Sequence, residues 1–337
     1  MESNRNGIRF ILPSDGILHE SAIEFLRACN LAVQRPSARR YTGLIPSLDG
    51  ATVLFQRTAD VTSKVEEGSA ELGITGLDRF LEYKREASDG VVLIEDLGFG
   101  HCELVVAAPN AWLDVTSIGD LADLALEFRQ RGRQLRIATK YPRLVQRYLL
   151  ENGINYFTLV MASGTIEAAP AAGFADLVAD LTASGETLRE NRLRPLEDGT
   201  ILVSQACLIG NRAIIGRSPH TLRRVRTILE MIAGYLQARS HYRLSANIRA
   251  PSAEAIASKV LERPDLAGLQ GPTVSKVYNV DGEGWYAVSL VVAQDKLLDV
   301  VDHLRKVGAT EISTSQVGYM FKERCFAYES LLPKLEG

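Results

Sequence analysis

The sequence lacks the long apolar runs and the paired cysteines that mark several large classes of protein. No segment approaches the ~18 apolar residues of a membrane-spanning helix, and the N-terminal stretch MESNRNGIRFILPSDG shows no signal-peptide pattern. The four cysteines, at positions 29, 102, 207 and 325, have no paired spacing, which argues against a disulfide framework or a cysteine zinc site. We therefore expect a reducing, cytoplasmic compartment and no membrane partner.

An excess of charge of one sign is also missing. The 38 lysines and arginines nearly balance the 41 aspartates and glutamates, so nothing in the net charge of −3 suggests a nucleic-acid partner. The five histidines show no metal-ligand spacing, and no Ser-His-Asp or Cys-His constellation is evident. What the chain has is 337 residues that are 46 % hydrophobic, enough for two or three domains with a real core.

Short apolar runs alternate with amphipathic stretches over the first two hundred residues. This alternation predicts an α/β fold with parallel sheets covered on both faces. A split near Pro109 gives two lobes, residues 1–108 and 109–195, with residues 196–217 returning to the first lobe. Residues 218–241 read as an amphipathic linker helix. Residues 242–337 follow a β-α-β-β-α-β order, which is the ferredoxin-like pattern.

A turn rich in glycine and hydroxyl groups, DLTASGETL, covers residues 180–188 after an apolar strand. A helix beginning near Ser184 or Gly185 would leave its first N–H groups without partners, and the neighbouring hydroxyls add donors. This combination predicts a site for a phosphate monoester. Asp180 suits ribose hydroxyls or a magnesium-bound diphosphate. The alternative is that Ser184 is a plain N-cap with Glu186 in the first turn.

Two further segments carry candidate ligand-binding groups. In SGTIEAAPAAGFAD, Gly164 and Thr165 precede a short helix, and Glu167 lies among small residues that leave it room to reach a ligand. In RIATKYPRLVQRY, Lys140 ends a strand just before a helix opened by Pro142. The alternatives are an exposed glutamate and a solvated basic turn.

With these segments in place, the chain resembles the ATP phosphoribosyltransferase family, the first enzyme of histidine biosynthesis. The matching segments occur in family order over most of residues 50–212: ELGITGLD, DLGFGHCELVVAAP, LRIATKYPRLVQRYLLENGI, SGTIEAAPAAGFADLVADLTASGETLRENRL and SQACLIGNR. The tail resembles the ferredoxin-like regulatory domain of the family's long form. The resemblance implies a two-lobed core like that of a periplasmic binding protein, with the active site in the cleft.

The resemblance also implies ligands and roles. The 5-phosphate of phosphoribosyl pyrophosphate (PRPP) would bind Thr182, Ala183, Ser184, Gly185, Glu186 and Thr187. Glu167 and Asp180 would lie near the ribose hydroxyls and the pyrophosphate, with Mg²⁺ required. Histidine would inhibit through the tail near Leu269 and Thr273, and AMP would be a further inhibitor. The expected assembly is a hexamer built from dimers. The implied reaction joins N1 of the adenine of ATP to C1 of PRPP and needs no strong base.

One segment departs from the family pattern. Where the family's first strand usually ends in P-K-G-R-L, this chain has PSDGIL, so Asp15 and Ile17 replace two cations while Gly16 is kept. Arg57 and Lys140 are the candidates that would face ATP or pyrophosphate instead, with Arg39 and Arg40 as further substitutes. The alternative for Arg57 is a surface arginine at a strand end. The departure favours a rival function, a non-catalytic sensor of small anions or nucleotides.

Overall fold

The computed structural model describes residues 7–37, 39–161, 165–278 and 284–336. The chain divides into two compact units, residues 1–225 with 330–337 and residues 226–329. In the described ranges, no helix combines the length and apolar character needed to cross a membrane. Gly164, which the sequence analysis places before Glu167, lies outside the described residues.

The first unit contains two sheets and the helices that cover them. Its strands are β1 (Arg9–Pro13), β2 (Thr42–Leu44), β3 (Thr52–Gln56), β4 (Leu72–Gly76), β5 (Gly90–Ile94), β6 (Cys102–Pro109), β7 (Leu135–Thr139), β8 (Phe157–Met161), β9 (Leu177–Thr182), β10 (Leu193–Ser204) and β11 (Ala206–Asn211). Its helices are α1 (Ile17–Ala28), α2 (Thr58–Glu66), α3 (Leu77–Tyr83), α4 (Ile118–Gln130), α5 (Pro142–Glu151), α6 (Glu186–Glu190) and α7 (Arg212–Ile215). The helix α8 (Pro219–Arg239) follows and corresponds to the predicted linker helix.

The first sheet has the strand order β2-β3-β1-β4-β11-β5. The strand β1 pairs in parallel with β3 and β4, as the alternating pattern predicts. The prediction of wholly parallel sheets is wrong, however, because β11 runs antiparallel to both β4 and β5. This strand enters from the second lobe, directly after β10, and so crosses the sheet in the opposite direction.

The second sheet has the order β10-β6-β9-β7-β8, and it also is mixed. Its strands β7, β8 and β9 are parallel, whereas β6 is antiparallel to β9 and β10. Sheet membership places the boundaries of this lobe at Cys102 and Ser204, whereas the sequence analysis placed them after residues 108 and 195. The difference arises because β6 and β10 pair along their full length before the chain passes between lobes.

The two faces of β9 have different surroundings. Leu177 and Ala179 belong to the core under α4 and α5, whereas Val178 packs with Ile166 and Leu188 on the opposite face. Successive strand residues point to opposite faces. Asp180 and Thr182 therefore share the face of Val178, which is the face that carries α6.

One short helix of the first lobe binds the start of a helix in the second lobe. Asp78 and Glu82 of α3 are both buried and lie four residues apart, on one helix face. The Glu82 carboxylate accepts hydrogen bonds from the backbone N–H groups of Arg143 and Leu144, both at 3.0 Å. The Arg143 guanidinium donates to the Glu82 carbonyl oxygen at 2.9 Å. A side chain of one lobe therefore caps α5 of the other.

The second unit contains β12 (His241–Arg249), α9 (Ala253–Leu261), β13 (Thr273–Lys276), β14 (Trp285–Ala293), α10 (Leu297–Val307), β15 (Ala309–Gln316) and α11 (Phe326–Glu329). Its strand order is β13-β14-β12-β15, which confirms the ferredoxin-like prediction. The last helix, α12 (Leu332–Glu336), belongs to the first unit, where the Lys334 ammonium donates to the Val92 carbonyl oxygen at 3.0 Å. The small domain therefore ends before the predicted residue 337.

Substitution of Glu82 tests the contact between the lobes. We expect Glu82→Ala to lower the free energy of unfolding of the first unit by about 2–4 kcal/mol, because two N–H groups lose their acceptor. The measurement is urea denaturation. The matched control is Glu151→Ala on the exposed side of α5, where the paired Arg147 is also exposed. Equal effects of the two substitutions would contradict a stabilising role for the Glu82 cap.

Candidate active site

The predicted phosphate loop connects β9 to α6. Gly185, at the N-cap of α6, has φ 72°, a left-handed conformation that glycine adopts without strain. The Thr182 hydroxyl oxygen accepts a hydrogen bond from the Gly185 N–H at 2.8 Å and so closes the turn. The Ser184 hydroxyl oxygen accepts a weaker bond from the Glu186 N–H at 3.4 Å. The loop is thus shaped by its own hydroxyl groups.

The donors that remain at this loop are open. Among the described residues, no acceptor is found for the backbone N–H groups of Thr187 and Leu188. The Thr182 hydroxyl hydrogen is also available, because its oxygen is the acceptor in the loop-closing bond. Since α6 has only five residues, these individual donors rather than a long helix dipole make the loop attractive to an anion.

The two predicted carboxylates, Glu167 and Asp180, act on each other electrostatically. Burial, the largest effect, raises the pKa of Asp180, and the nearby Glu167 raises it further. The Leu181 N–H, Lys140 and Arg79 act in the opposite direction and lower this pKa. The four side chains therefore form one electrostatic cluster, which we call the acid–cation cluster: Arg79, Lys140, Glu167 and Asp180.

The parallel pairing of β7 and β9 explains how Lys140 reaches this cluster. Thr139 is in register with Ala179, so the next residues along the two strands, Lys140 and Asp180, lie side by side where the pairing of β7 with β9 ends. The Thr139 hydroxyl oxygen accepts from the Tyr141 N–H at 3.0 Å, which fixes the turn into α5. Lys140 is half-buried, in agreement with a cation held toward the cleft.

The structure does not bring all predicted residues to this cluster. Gly16, with φ 76°, and Arg57 lie at the carboxyl edge of the first sheet, where Pro13 of β1 is in register with Gln56 of β3. Asp15, Ile17 and Arg57 are exposed, and the Ile17 side chain is 87 % exposed. Gly16 and Arg57 therefore belong to the opposite lobe from the loop.

Sequence reasoning missed a buried network next to the cluster. The carboxylate of Asp78 accepts hydrogen bonds from the Ser204 hydroxyl at 2.7 Å and the Tyr141 hydroxyl at 2.8 Å. The Ser204 oxygen in turn accepts from the Asp78 N–H at 3.0 Å. Burial, and then the charge of Asp78, raises the pKa of the Tyr141 phenol, so Tyr141 stays a donor. The only sequence signal was that Asp78 and Tyr141 lie inside segments matched to the family.

A cavity of about 680 Å³ borders the loop. It is lined by loop residues 182–185 and by side chains of β6 and β10, including Cys102 and Glu103, but not by Asp180, Glu167 or Lys140. Burial raises the pKa of the Cys102 thiol to about 11, so this thiol is protonated at neutral pH and is no nucleophile.

Two family models match this chain. The family model described as ATP phosphoribosyltransferase matches residues 57–234, and the model for the HisG C-terminal domain matches residues 238–318. The chain belongs to the ATP phosphoribosyltransferase family. The members of this family are transferases of histidine biosynthesis, so the match favours an enzyme over the non-catalytic sensor.

Individual relatives in the ATP phosphoribosyltransferase family agree with this assignment. The Arabidopsis thaliana protein named "ATP phosphoribosyltransferase 1, chloroplastic" is 38 % identical over 98 % of this chain and 82 % of its own length. The Brucella melitensis ATP phosphoribosyltransferase is 42 % identical over 68 % of this chain and 99 % of its own. The Arabidopsis relative thus covers the tail as well, in agreement with the long form.

A solved structure shares the fold. The chain from the Thermotoga maritima "ATP phosphoribosyl transferase (HisG:HisZ) complex" has a TM-score of 0.52 and 24 % identity, covering 67 % of this chain and 95 % of its own. This likeness concerns the fold alone. It agrees with a two-lobed α/β core, formed here by the two mixed sheets.

The raised pKa of Asp180 gives a stability prediction. Because burial disfavours the charged carboxylate, the folded state loses stability as the pH rises through the pKa of Asp180. We expect Asp180→Asn to raise the melting temperature at pH 7.5, with the difference shrinking as the pH falls toward the ordinary aspartate pKa of about 3.9. The measurement is thermal unfolding at several pH values, with Asp123→Asn on the exposed side of α4 as the control. A variant less stable than the parent at pH 7.5 would contradict this account.

Proposed function

We propose that this protein transfers the phosphoribosyl group of PRPP to N1 of the adenine of ATP, with release of pyrophosphate, in the cleft beside residues 182–187. The observation that carries the proposal is the position of the acid–cation cluster directly next to a loop with open N–H and hydroxyl donors. A ribose phosphate needs both features within one molecule's length, because its 5-phosphate and its 2- and 3-hydroxyls belong to the same sugar.

The roles of the residues follow from their chemistry. The loop binds the 5-phosphate of PRPP through the N–H groups of Thr187 and Leu188 and through the hydroxyls of Thr182 and Thr187. Asp180 and Glu167 accept hydrogen bonds from the ribose hydroxyls and offset positive charge that develops on the ribosyl carbon. Because the charge of Glu167 raises the pKa of Asp180, a bound ribose that donates to both carboxylates relieves their repulsion.

The reaction asks for alignment rather than for a strong base. The lone pair of adenine N1 forms a bond to C1 of PRPP while the bond from C1 to the pyrophosphate oxygen breaks and its electrons leave with pyrophosphate. Adenine N1 carries no proton to be removed, so no residue needs to act as a general base. Catalysis then depends on holding the two substrates in line and on stabilising opposite charges at C1 and on the leaving group.

The donor groups of the cleft fit a magnesium ion only when phosphate oxygens of the substrate also coordinate it. The described residues contain no group of three or more acidic, histidine or cysteine side chains placed to hold a metal. Mg²⁺ commonly binds one or two carboxylates together with substrate phosphates, and Asp180 and Glu167 supply the carboxylates. When bound, Mg²⁺ would neutralise charge on the diphosphate.

The first lobe supplies the groups proposed for ATP and pyrophosphate. Gly16 lets the backbone turn sharply at the end of β1, and Arg57 follows the neighbouring strand β3. Arg57 is exposed and Lys140 half-buried, which leaves both free to meet phosphates that bridge the lobes when the cleft is filled. Cations that water can reach attract an anionic substrate.

The small domain contains a cavity that suits the proposed histidine site. Its volume is about 960 Å³, and both Leu269 and Thr273 line it. Arg243 and Lys322 can bind a carboxylate and Glu323 can bind an ammonium group, so the lining offers partners for both charges of an amino acid. The proposal also includes inhibition by histidine and by AMP. It further includes assembly as a hexamer built from dimers and a cytoplasmic location.

Absorbance at 290 nm tests the activity directly, because ribosylation of adenine N1 changes the adenine spectrum. We expect a rise with ATP, PRPP and Mg²⁺ together, and none when PRPP is left out. The absence of any rise at high enzyme concentration, with PRPP still bound by calorimetry, would contradict the proposed reaction.

Two loop substitutions test where PRPP binds. Thr187→Ala removes a hydroxyl donor to a charged phosphate, for which we expect about 10- to 100-fold weaker PRPP binding by calorimetry. Gly185→Val places a β-branched residue at φ 72° and should weaken binding at least as much, through backbone strain rather than lack of space. Unchanged PRPP affinity in both variants would remove the loop from the site.

Substitution at the small-domain cavity tests the regulatory proposal. We expect Thr273→Val and Leu269→Ala to raise the histidine concentration that gives half-inhibition, because both side chains line the proposed pocket. The measurement is the histidine dose response of the 290 nm assay. The control is Leu298→Ala, an exposed residue of α10 outside the cavity lining. If both variants keep the parent's response, histidine acts elsewhere.

A further inference from the structure

Arg79 lies at the carboxyl edge of the first sheet. At this edge Asp15 and Ile17 stand where the family pattern has two cations. Arg79 is the third residue of α3, which begins directly after β4. The strand β4 pairs in parallel with β1, whose end carries Asp15 and Gly16. Because the carboxyl ends of parallel strands meet at one edge of a sheet, Arg79 leaves the sheet beside the segment where Asp15 and Ile17 stand.

The Arg79 guanidinium is held in place by an aromatic ring and a buried acid. Its central carbon lies 4.6 Å from the centroid of the Tyr141 ring, and its Nε lies 3.7 Å from the Asp78 carboxylate. The side chain is 23 % exposed. A planar cation on an aromatic face loses little further freedom when it binds a ligand, so this arginine is prepared for binding.

The hydrogen-bonding capacity of this guanidinium is largely unused. The short bonds to the Asp78 carboxylate come from the neutral hydroxyls of Ser204 and Tyr141. Among the described residues, no carboxylate comes within hydrogen-bond distance of Arg79, and its one hydrogen bond is a long contact of 3.5 Å to the Tyr83 hydroxyl. Most of its donors therefore remain available.

The charge of Arg79 acts on the cleft. Together with Lys140, it lowers the pKa of Asp180, so its charge is within electrostatic reach of the carboxylate that precedes the phosphate loop. Lys140 follows β7 of the second lobe and Arg79 follows β4 of the first. The two cations that act on Asp180 therefore come from opposite lobes, as a diphosphate bridging the cleft would require.

We propose that Arg79 is a substrate-binding residue that contacts the diphosphate leaving group, in place of the cations missing at positions 15 and 17, and that Asp78 and Tyr141 position it. The guanidinium matches the geometry of two phosphate oxygens, which a lysine ammonium does not. This inference rests on the proposed site beside residues 182–187, and it adds a binding residue that the sequence pattern did not identify.

Calorimetry with magnesium pyrophosphate tests the binding role. We expect Arg79→Gln to weaken pyrophosphate binding about 10- to 100-fold, the effect of losing a charged hydrogen-bond donor. Arg79→Lys keeps the charge and should lose less. The matched control is Arg147→Gln, since Arg147 is a well exposed residue of α5 whose nearest acid, Glu151, is 3.9 Å away. The affinity of the Arg79→Gln variant should also depend less on salt than that of the parent.

A double-mutant cycle tests the positioning role. Tyr141→Phe keeps the ring under the guanidinium but removes the hydrogen bond to Asp78. If this bond acts by positioning Arg79, Tyr141→Phe weakens pyrophosphate binding in the parent and has no effect in the Arg79→Gln background. A merely structural role for Tyr141 would give the same loss in both backgrounds and overturn the positioning claim.

The outcomes separate this inference from the proposed function. Unchanged pyrophosphate affinity in Arg79→Gln, with PRPP affinity lost in Thr187→Ala, overturns the role of Arg79 and leaves the loop in the site. Unchanged affinities in both variants overturn the placement of the site itself. If Arg79→Gln does not fold, the Arg79→Lys variant is measured instead, because lysine keeps the charge and the length but lacks the planar guanidinium. A pyrophosphate affinity of Arg79→Lys equal to that of the parent would overturn the proposal.

Discussion

The catalytic unit depends on one buried carboxylate. Asp78 is 4 % exposed, and its charge is stabilised by the hydroxyls of Ser204 and Tyr141 at 2.7 and 2.8 Å. Asp78 belongs to the first lobe, and Ser204 ends β10, where the chain passes between the lobes. Tyr141 lies at the start of the second-lobe helix α5. If the Asp78 carboxylate lost the hydroxyl of Ser204 or of Tyr141, a buried charge would lack a hydrogen-bond partner. These hydrogen bonds therefore stabilise the contact between the lobes at this edge. Glu82, one turn further along α3, strengthens the same contact.

The contacts of Asp78 determine where the charged groups of the cleft lie. Tyr141 is tied to Asp78, so the residue before it, Lys140, is placed beside Asp180, and the Tyr141 ring supports Arg79. Opposite charges thus surround the place where a sugar phosphate would lie, while the loop supplies neutral donors. The cleft is polar and prepared before any ligand arrives, which lowers the reorganisation needed during the reaction. Burial raises the pKa of Asp180 and so disfavours its ionised form, whereas Lys140 and Arg79 favour that form.

Local patterns were sufficient for some features and insufficient for others. The phosphate loop, Lys140 and the ferredoxin-like tail were predicted correctly as structures because each depends on neighbouring residues: a glycine with positive φ, a strand end and an alternation of elements. The roles assigned to the site residues stay predictions. The lobe boundaries, the antiparallel β11 and the Asp78 network were not predictable, since Asp78 and Ser204 are 126 residues apart. Arg79 had no local signal, because its environment is created by Tyr141.

The central position of β11 constrains the order in which the chain can fold during synthesis. This strand lies between β4 and β5, yet it is made after the whole second sheet. The ribosome therefore releases a complete second lobe, residues 102–204, while β4 and β5 still lack the partner that joins them. Two apolar strand edges stay open during that interval, and open edges are the usual route to misassembly. The nascent first lobe is consequently the part of this protein that would most need a chaperone.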